Sequence, residues 1–545
     1  MTNYSAFSKT LIFATISTLT LWSCGDKAVT PDPTPITPVI PVDTSTRSVS
    51  IAPTNFSGPT YSDNYTGIAS WNQRSQWNLA NVHDPSVEKS GDYYYMYQTD
   101  ASYGNAHDGH GHYPYRRSKD LVTWEYMGAA FTDAPAWVKD SLNNKRARIG
   151  LPAIANPSYG FWAPHIKKVG NKFRLYYAIV VDNPIVGTDR NTSWTERAFI
   201  GLAESDDLAS NKWTDKGMVV CSEPDGVRSY NRQGANDWSG YFKFNAIDPS
   251  FIITPTGEHY LIYGSWHTGI AALKLNPATG KPDKLSTIDD YGVRIAGRGN
   301  IATNRWQALE APEIVYNENT GYYYLFVAYD GLDVPYNTRV SRSKSITGPF
   351  VGIDGGNVTT GAESFPTVTH PYAFKNSNGW VGISHCSVFQ NPDTKEWFYA
   401  SQGRLPANVA GINVSNAVMM GHVHKMYWTA DGWPVLDPQR YAAVPQETVP
   451  ESYFTGIWEM ITLNYAYGVQ QTPSLVSLTS TKIVKGSTGN TIGTWSFDKA
   501  TNTLTILNDK FIVAKSWDWE ATPRKVTLTL TGINSSGRAV WAKRL

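Results

Sequence analysis

From about residue 75 to residue 445 the chain alternates short apolar runs, rich in aromatic residues, with turns of Gly, Asn and Asp. No stretch in that range sustains a helical period, so the pattern predicts short strands and an all-β class. Five of the runs share a cue: a short polar or acidic cluster, then a turn, then an aromatic strand. Asn81-Val82-His83-Asp84-Pro85-Ser86 precedes Tyr93-Tyr94-Tyr95-Met96-Tyr97. Trp162-Ala163-Pro164-His165-Ile166 precedes Phe173-Arg174-Leu175-Tyr176-Tyr177. Asn245-Ala246-Ile247-Asp248-Pro249-Ser250 precedes Tyr260-Leu261-Ile262-Tyr263. Leu309-Glu310-Ala311-Pro312-Glu313-Ile314 precedes Tyr322-Tyr323-Tyr324-Leu325-Phe326, and Ser384-His385-Cys386-Ser387-Val388 precedes Trp397-Phe398-Tyr399. Repeats of this kind are supersecondary units, and a radial repeat brings equivalent points to one axis. The expected fold over 75–445 is a five-bladed β-propeller, its anchors roughly 60–90 residues apart because loops lengthen each blade.

From residue 451 the alternation belongs to a different unit. Gly456-Ile457-Trp458-Glu459-Met460, Gly493-Thr494-Trp495-Ser496-Phe497 and Val526-Thr527-Leu528-Thr529-Leu530-Thr531 read as half-buried strands. A small C-terminal β-barrel or sandwich over 451–545 is expected. It has no acidic constellation of its own and reads as accessory.

The chain has 545 residues and a net charge of +1, which gives no electrostatic reason to bind nucleic acid or an anionic surface. Aromatics make up 13% of it; strand packing accounts for most of them, and stacking on sugar rings is the functional alternative. Lys9 and the apolar run 11–21 make a signal-peptide core too short to span a membrane. Leu21-Trp22-Ser23-Cys24 resembles a lipobox, so residues 1–23 are expected to be a lipoprotein signal and Cys24 the lipidated residue. The Pro/Thr-rich stretch 24–50 reads as an extended linker. Cys221 and Cys386 pair only if the fold brings them together.

Asp84, Asp248 and Glu310 are each followed at once, or after one residue, by proline, which marks a strand start or edge. On a propeller such residues line the central channel. Crowded carboxylates repel, and at least one pKa rises. That suits glycoside hydrolysis, in which one carboxyl activates water and another gives a proton to the leaving oxygen. An exposed Asp84 is expected to stay charged while two neighbouring anions keep Glu310 protonated.

The ordered set Asp84-Pro85, Phe161-Trp162-Ala163-Pro164, Ala246-Ile247-Asp248-Pro249-Ser250, Glu310-Ala311-Pro312 and Gly382-Ile383-Ser384-His385 resembles glycoside hydrolase family 43. Within it, the chain is most similar to the two-domain extracellular endo-α-1,5-L-arabinanases. The resemblance implies Asp84 as general base, Glu310 as general acid, and Asp248 as the group that tunes and orients Glu310. It implies inversion, with the acid and base ~6.5–9.5 Å apart. It further implies substrate contacts at Asp84, Gly160, Asn245, Ala246, Ile247, Asp248, Ser265, Trp266 and His267, although Trp266-His267 stands where a different aromatic pair is more usual. It places one metal ion, calcium, at His385 with waters. Glu313 matches no catalytic position and reads as ordinary strand or rim.

His107-Asp108-Gly109-His110-Gly111-His112 lacks the distant ligands of a zinc site and reads as a polar loop at the cleft mouth. The loop 231–238 reads as solvated. The expected protein is a monomeric, lipid-anchored arabinan hydrolase of the cell envelope. The alternatives are an exo-acting arabinofuranosidase or β-xylosidase of the same family and a non-catalytic surface glycan-binding propeller.

Overall fold

The computed structural model of the chain describes residues 51–100, 109–148, 150–181, 196–223, 242–299, 308–407, 409 and 419–545. The signal peptide, Cys24, the linker, His107, Asp108 and the loop 231–238 lie outside the described residues.

Five four-stranded antiparallel sheets follow one another over residues 86–131, 159–221, 250–296, 309–369 and 381–436, here blades I to V. Blades IV and V touch through one parallel bridge, Asn337 to Ile383. The first strands, Ser86–Ser90, Tyr159–Val169, Ser250–Ile253, Leu309–Asn317 and Val381–Gln390, each pack against the first strand of the next blade, and the fifth packs against the first. They therefore form the innermost ring of a five-bladed propeller. The ring is closed by residues 79–81, which bridge to blade V through Ala80 and Met420.

Burial on both faces explains the aromatic runs. In blade I, Tyr94 and Met96 pack with blade V residues, and Tyr95 and Tyr97 pack with Ile166, Phe173 and Leu175 of blade II. In blade IV, Tyr324 and Phe326 face blade V, and Tyr323, Leu325 and Val327 face blade III. A strand covered on both sides has no polar face, so its sequence is nearly continuous in large apolar residues. The inner hairpin of blade I turns through Gly91, whose φ of 57° suits the two-residue loop between Ser90 and Tyr93.

A belt of side chains joins the blades. Ser86 accepts the N–H of Ile166, His165 Nδ1 that of Phe251, Ser250 that of Ile314, Glu313 that of Val388, and Ser387 that of Val87, at 3.0, 3.2, 3.2, 2.9 and 3.1 Å. The circuit is complete. Glu313 is thus buried in the inter-blade belt and is not a rim residue. Ser250 donates to its Oε2 at 2.7 Å, and His165 Nε2 lies 3.3 Å from the same oxygen. Burial pushes the Glu313 pKa up, but His165 and these hydrogen bonds outweigh it and hold the carboxyl below its ordinary range.

One helix, Ala136–Arg148, follows blade I. It buries Val138, Leu142 and Arg146, and Arg146 pairs with Glu196 at 2.6 Å with both side chains 1% exposed. A buried arginine in the stripe hides the helical period from a hydropathy reading. Cys221 and Cys386 are buried and free.

Residues 456–544 form an eight-stranded antiparallel barrel in which Gly456–Thr462 pairs with Ala539–Arg544 to close the sheet. The barrel docks on the propeller. Gln439 donates to Glu520, Gln471 bridges to Tyr372, and Tyr465 reaches Asp330 of blade IV.

Candidate active site

Each innermost strand is kinked at, or entered through, the same point. Asp84, Ala163, Asp248, Ala311 and His385 adopt left-handed backbone conformations, with φ of 48°, 37°, 54°, 53° and 52°. In blades II, IV and V the pairing register slips there. A left-handed non-glycine costs roughly 1–2 kcal/mol, and bulges of this kind re-aim side chains beside active sites. Asp84, Asp248 and His385 occupy the kink itself. Glu310 stands one residue before it.

Asp84 is buried, contrary to the exposed position expected for it. His385 Nδ1 lies 2.8 Å from its Oδ1, His83 Nδ1 lies 2.8 Å from its Oδ2, and Thr99 donates to Oδ2 at 2.7 Å. Gln402 accepts its backbone N–H at 2.6 Å. Burial pushes the Asp84 pKa up, but the two imidazoles, His385 ahead of His83, hold it well below the carboxylate range. The charge survives burial because it is paired.

Asp248 Oδ2 accepts the backbone N–H of Ala311 at 3.0 Å, which ties it to the residue after Glu310. Burial, then the charges of Glu310 and Asp84 against the opposing pull of His385, raise Asp248 to about 8. Crowding raises the middle carboxyl, Asp248, where the expected effect was on Glu310.

Glu310 is half-buried and accepts three hydrogen bonds. Ser265 Oγ and Trp266 Nε1 donate to Oε2 at 2.9 and 2.8 Å, and Tyr336 donates to Oε1 at 2.7 Å. Burial first, then the Glu310 charge, keeps the Tyr336 hydroxyl protonated. Tyr336 belongs to a loop without any motif, so the sequence carried no signal for it. Ser265 and Trp266 were expected to touch substrate; here they hold the acid.

The remaining expected contacts surround this core. Asn245 is half-buried, and its Oδ1 accepts from Ser222 at 2.8 Å. Ala246 is fully buried with its N–H on Ser222, and Ile247 is 5% exposed. Gly160 is buried beside Phe161, which stacks on His112 at 3.4 Å. His112 Nδ1 in turn lies 2.6 Å from Asp100. His110 stacks on Trp71, which anchors part of the histidine-rich loop outside the carboxylate cluster. His267 packs on Phe242 with ring centroids 5.0 Å apart.

Among the described residues no three His, Cys, Asp or Glu side chains are arranged to hold a metal ion. His385 directs Nδ1 at Asp84, the carboxylate–imidazole arrangement that leaves Nε2 for a metal. The buried His83 Nε2 and Gln402 Nε2 lack protein hydrogen-bond partners and call for water. The site fits a hydrated ion on one imidazole and does not form a protein cage. Asp84 outweighs burial and raises His385 to about 9, so an ion and a proton compete for the ring.

The family described as "Glycosyl hydrolases family 43" matches residues 79–434, the whole propeller with its carboxylates. The chain belongs to this family. A "C-terminal lipocalin-like domain" matches residues 438–542 of this family 43 glycoside hydrolase. It is 26% identical over 509 residues to an extracellular endo-alpha-(1->5)-L-arabinanase of Thermotoga petrophila, covering 88% of this chain and 97% of that one. It is 24% identical over 496 residues to extracellular endo-alpha-(1->5)-L-arabinanase 2 of Bacillus subtilis, covering 87% and 94%. The crystal structure of endo-1,5-alpha-L-arabinanase from Thermotoga petrophila superposes with a TM-score of 0.65 at 25% identity, over 86% of this chain and 99% of that one.

Proposed function

We propose that this family 43 enzyme is an exported, inverting endo-hydrolase of α-1,5-linked arabinan. One observation carries the reading: three carboxylates come from separate blades at equivalent points of the ring, Asp84 held by His385 and Asp248 bonded to the backbone of the residue after Glu310. The two-domain arabinanases it resembles over nearly their full length support the substrate.

Asp84, held ionised by its imidazole partners, takes a proton from water on one face of the arabinofuranose ring. Glu310 protonates the glycosidic oxygen on the other face as the C–O bond breaks. Asp248, raised by burial and then by the Glu310 and Asp84 charges, holds a proton beside Glu310 at neutral pH. It also fixes the Ala311 backbone on which Glu310 sits. Asn245, Ile247, Ser265, Trp266, His267 and Gly160 are the nearest sugar contacts. A calcium ion with waters at His385 Nε2 would add positive charge beside Asp84; each step above is performed by the protein's own carboxyls. Export of a monomer through the signal peptide, with a lipid on Cys24 holding it at the cell envelope, completes the reading.

The test is incubation with linear arabinan followed by chromatography. Short oligomers are expected. Arabinose alone would make the enzyme exo-acting, and unchanged polymer with retained binding would make it a glycan-binding propeller. For the anchor, Cys24→Ala should move the protein from membrane to soluble fractions; unchanged membrane association would remove the lipid from the account.

A further inference from the structure

The strap 264–269 between two strands of blade III is built to hold its indole against the acid. Trp266 and His267 take consecutive left-handed conformations, φ 55° and 43°, a strain of about 1–3 kcal/mol per residue that persists only when surrounding structure enforces it. The enforcing contacts are present. Trp266 donates its backbone N–H to the carbonyl of Leu309, the residue before Glu310, at 2.8 Å, and its own carbonyl accepts from Gly269 at 2.8 Å. A Cβ at Gly264 would sit 2.4 Å from the Gly269 oxygen, so the strap closes tightly on itself. Backbone and side chain of Trp266 thus both reach the Leu309–Glu310 pair.

The three donors to Glu310 differ in kind. The hydroxyls of Ser265 and Tyr336 can donate or accept by rotating, whereas an indole N–H can only donate. When Glu310 is a neutral acid, one oxygen bears the proton and the other is the carbonyl, which is the better acceptor. A donor that cannot turn therefore favours the carbonyl at the oxygen it faces. That oxygen is Oε2, 2.8 Å from Trp266 Nε1.

We propose that Trp266 is a positioning residue that makes Oε2 the carbonyl oxygen of Glu310 and Oε1 the oxygen that carries and delivers the proton. This rests on the reading of Glu310 as general acid. In the reaction the proton leaves Oε1 for the glycosidic oxygen, and the electron pair of the breaking C–O bond goes to that oxygen. Water attacks the anomeric carbon and loses its proton to Asp84. The Tyr336 hydroxyl, now facing Oε1, turns to accept from the acid or gives way to the glycosidic oxygen. Without the indole N–H, the proton can settle on Oε2 against Ser265, pointing away from delivery.

The test is a leaving-group series. Trp266→Phe is compared with the native enzyme on arabinan and on aryl α-1,5-arabino-oligosides whose phenols span a range of acidity. A good leaving group needs little proton donation, so a misdirected proton slows only the poor ones. The expected result is a loss of roughly tenfold or more in kcat on arabinan and on the least acidic phenols, a near-native kcat on the most acidic phenol, and any change in KM the same for every substrate in the series. An equal loss across the series, or a raised KM with kcat intact, overturns the proposal, because a packing or sugar-binding role predicts those results. If Trp266→Phe fails to fold, benzothienylalanine at position 266 keeps the ring outline without the N–H and must give the same leaving-group dependence. Failure of the arabinan assignment reads separately, as a native enzyme that cleaves the aryl series and leaves the polymer intact.

Discussion

Asp248 reaches across from blade III to accept the N–H of Ala311, the residue that follows Glu310 on blade IV, at 3.0 Å. The bond joins two blades at the point where acid chemistry is proposed, and the carboxyl that makes it is raised to about 8.

The raised value has a stability consequence with a definite sign. Between the ordinary aspartate pKa of 3.8 and about 8, the folded protein holds a proton at Asp248 that the unfolded chain has released. Stability from this group is full at low pH and is lost as pH rises through that window. Asp248→Asn removes the dependence. The Tm of the variant relative to native should therefore rise between pH 5 and pH 8, and parallel Tm curves would contradict the raised carboxyl. Activity should fall on the alkaline side as Asp248 loses its proton near the same pH, which a kcat/KM profile reads directly.

Glu310 and Glu313 lie three residues apart and should respond oppositely. Glu310→Ala is expected to lose roughly 10²–10⁴-fold in kcat with its fold kept. Glu313→Ala opens the inter-blade belt and strands His165, an expected loss of about 3–5 kcal/mol of stability, with turnover retained below the lowered Tm. Paired measurements of kcat and Tm decide this; a Glu313→Ala protein that is stable and inactive would reassign the acid.

In the barrel, Lys543 bridges Asp518 and Glu520 at 2.8 Å each, with Lys543 and Asp518 2% exposed. Lys543→Met leaves the buried Asp518 and the half-buried Glu520 without their cation and should cost about 3–5 kcal/mol at neutral pH. The deficit should shrink as the solution is acidified and Glu520, whose carboxyl burial pushes up, takes a proton. Denaturant titration at pH 7 and pH 4.5 checks this.

The fold was legible because its repeat is physical. Each blade needs a kink into the channel, and Asp84-Pro85, Ala163-Pro164, Asp248-Pro249 and Ala311-Pro312 mark it in the sequence. What lies between blades was not legible. Ser86, His165, Ser250, Glu313 and Ser387 form one ring, yet each bond spans 63 to 300 residues of chain, and nothing local distinguishes Glu313 from a rim carboxylate. Asp84 was expected to be exposed because charge usually implies exposure; its two imidazole partners come from its own neighbour and from His385, 301 positions away. Tyr336 and the helix Ala136–Arg148 escaped because one lies in a loop without a motif and the other buries an arginine.

The central claim, that separate blades supply an acid and a base on opposite faces of one sugar, is tested most directly by the stereochemistry of the first product. Time-resolved ¹H NMR of linear α-1,5-arabinan hydrolysis should show new reducing ends appearing first as the β-anomer and only later equilibrating. An α-anomer appearing first would mean that Asp84 and Glu310 do not act through a water between them.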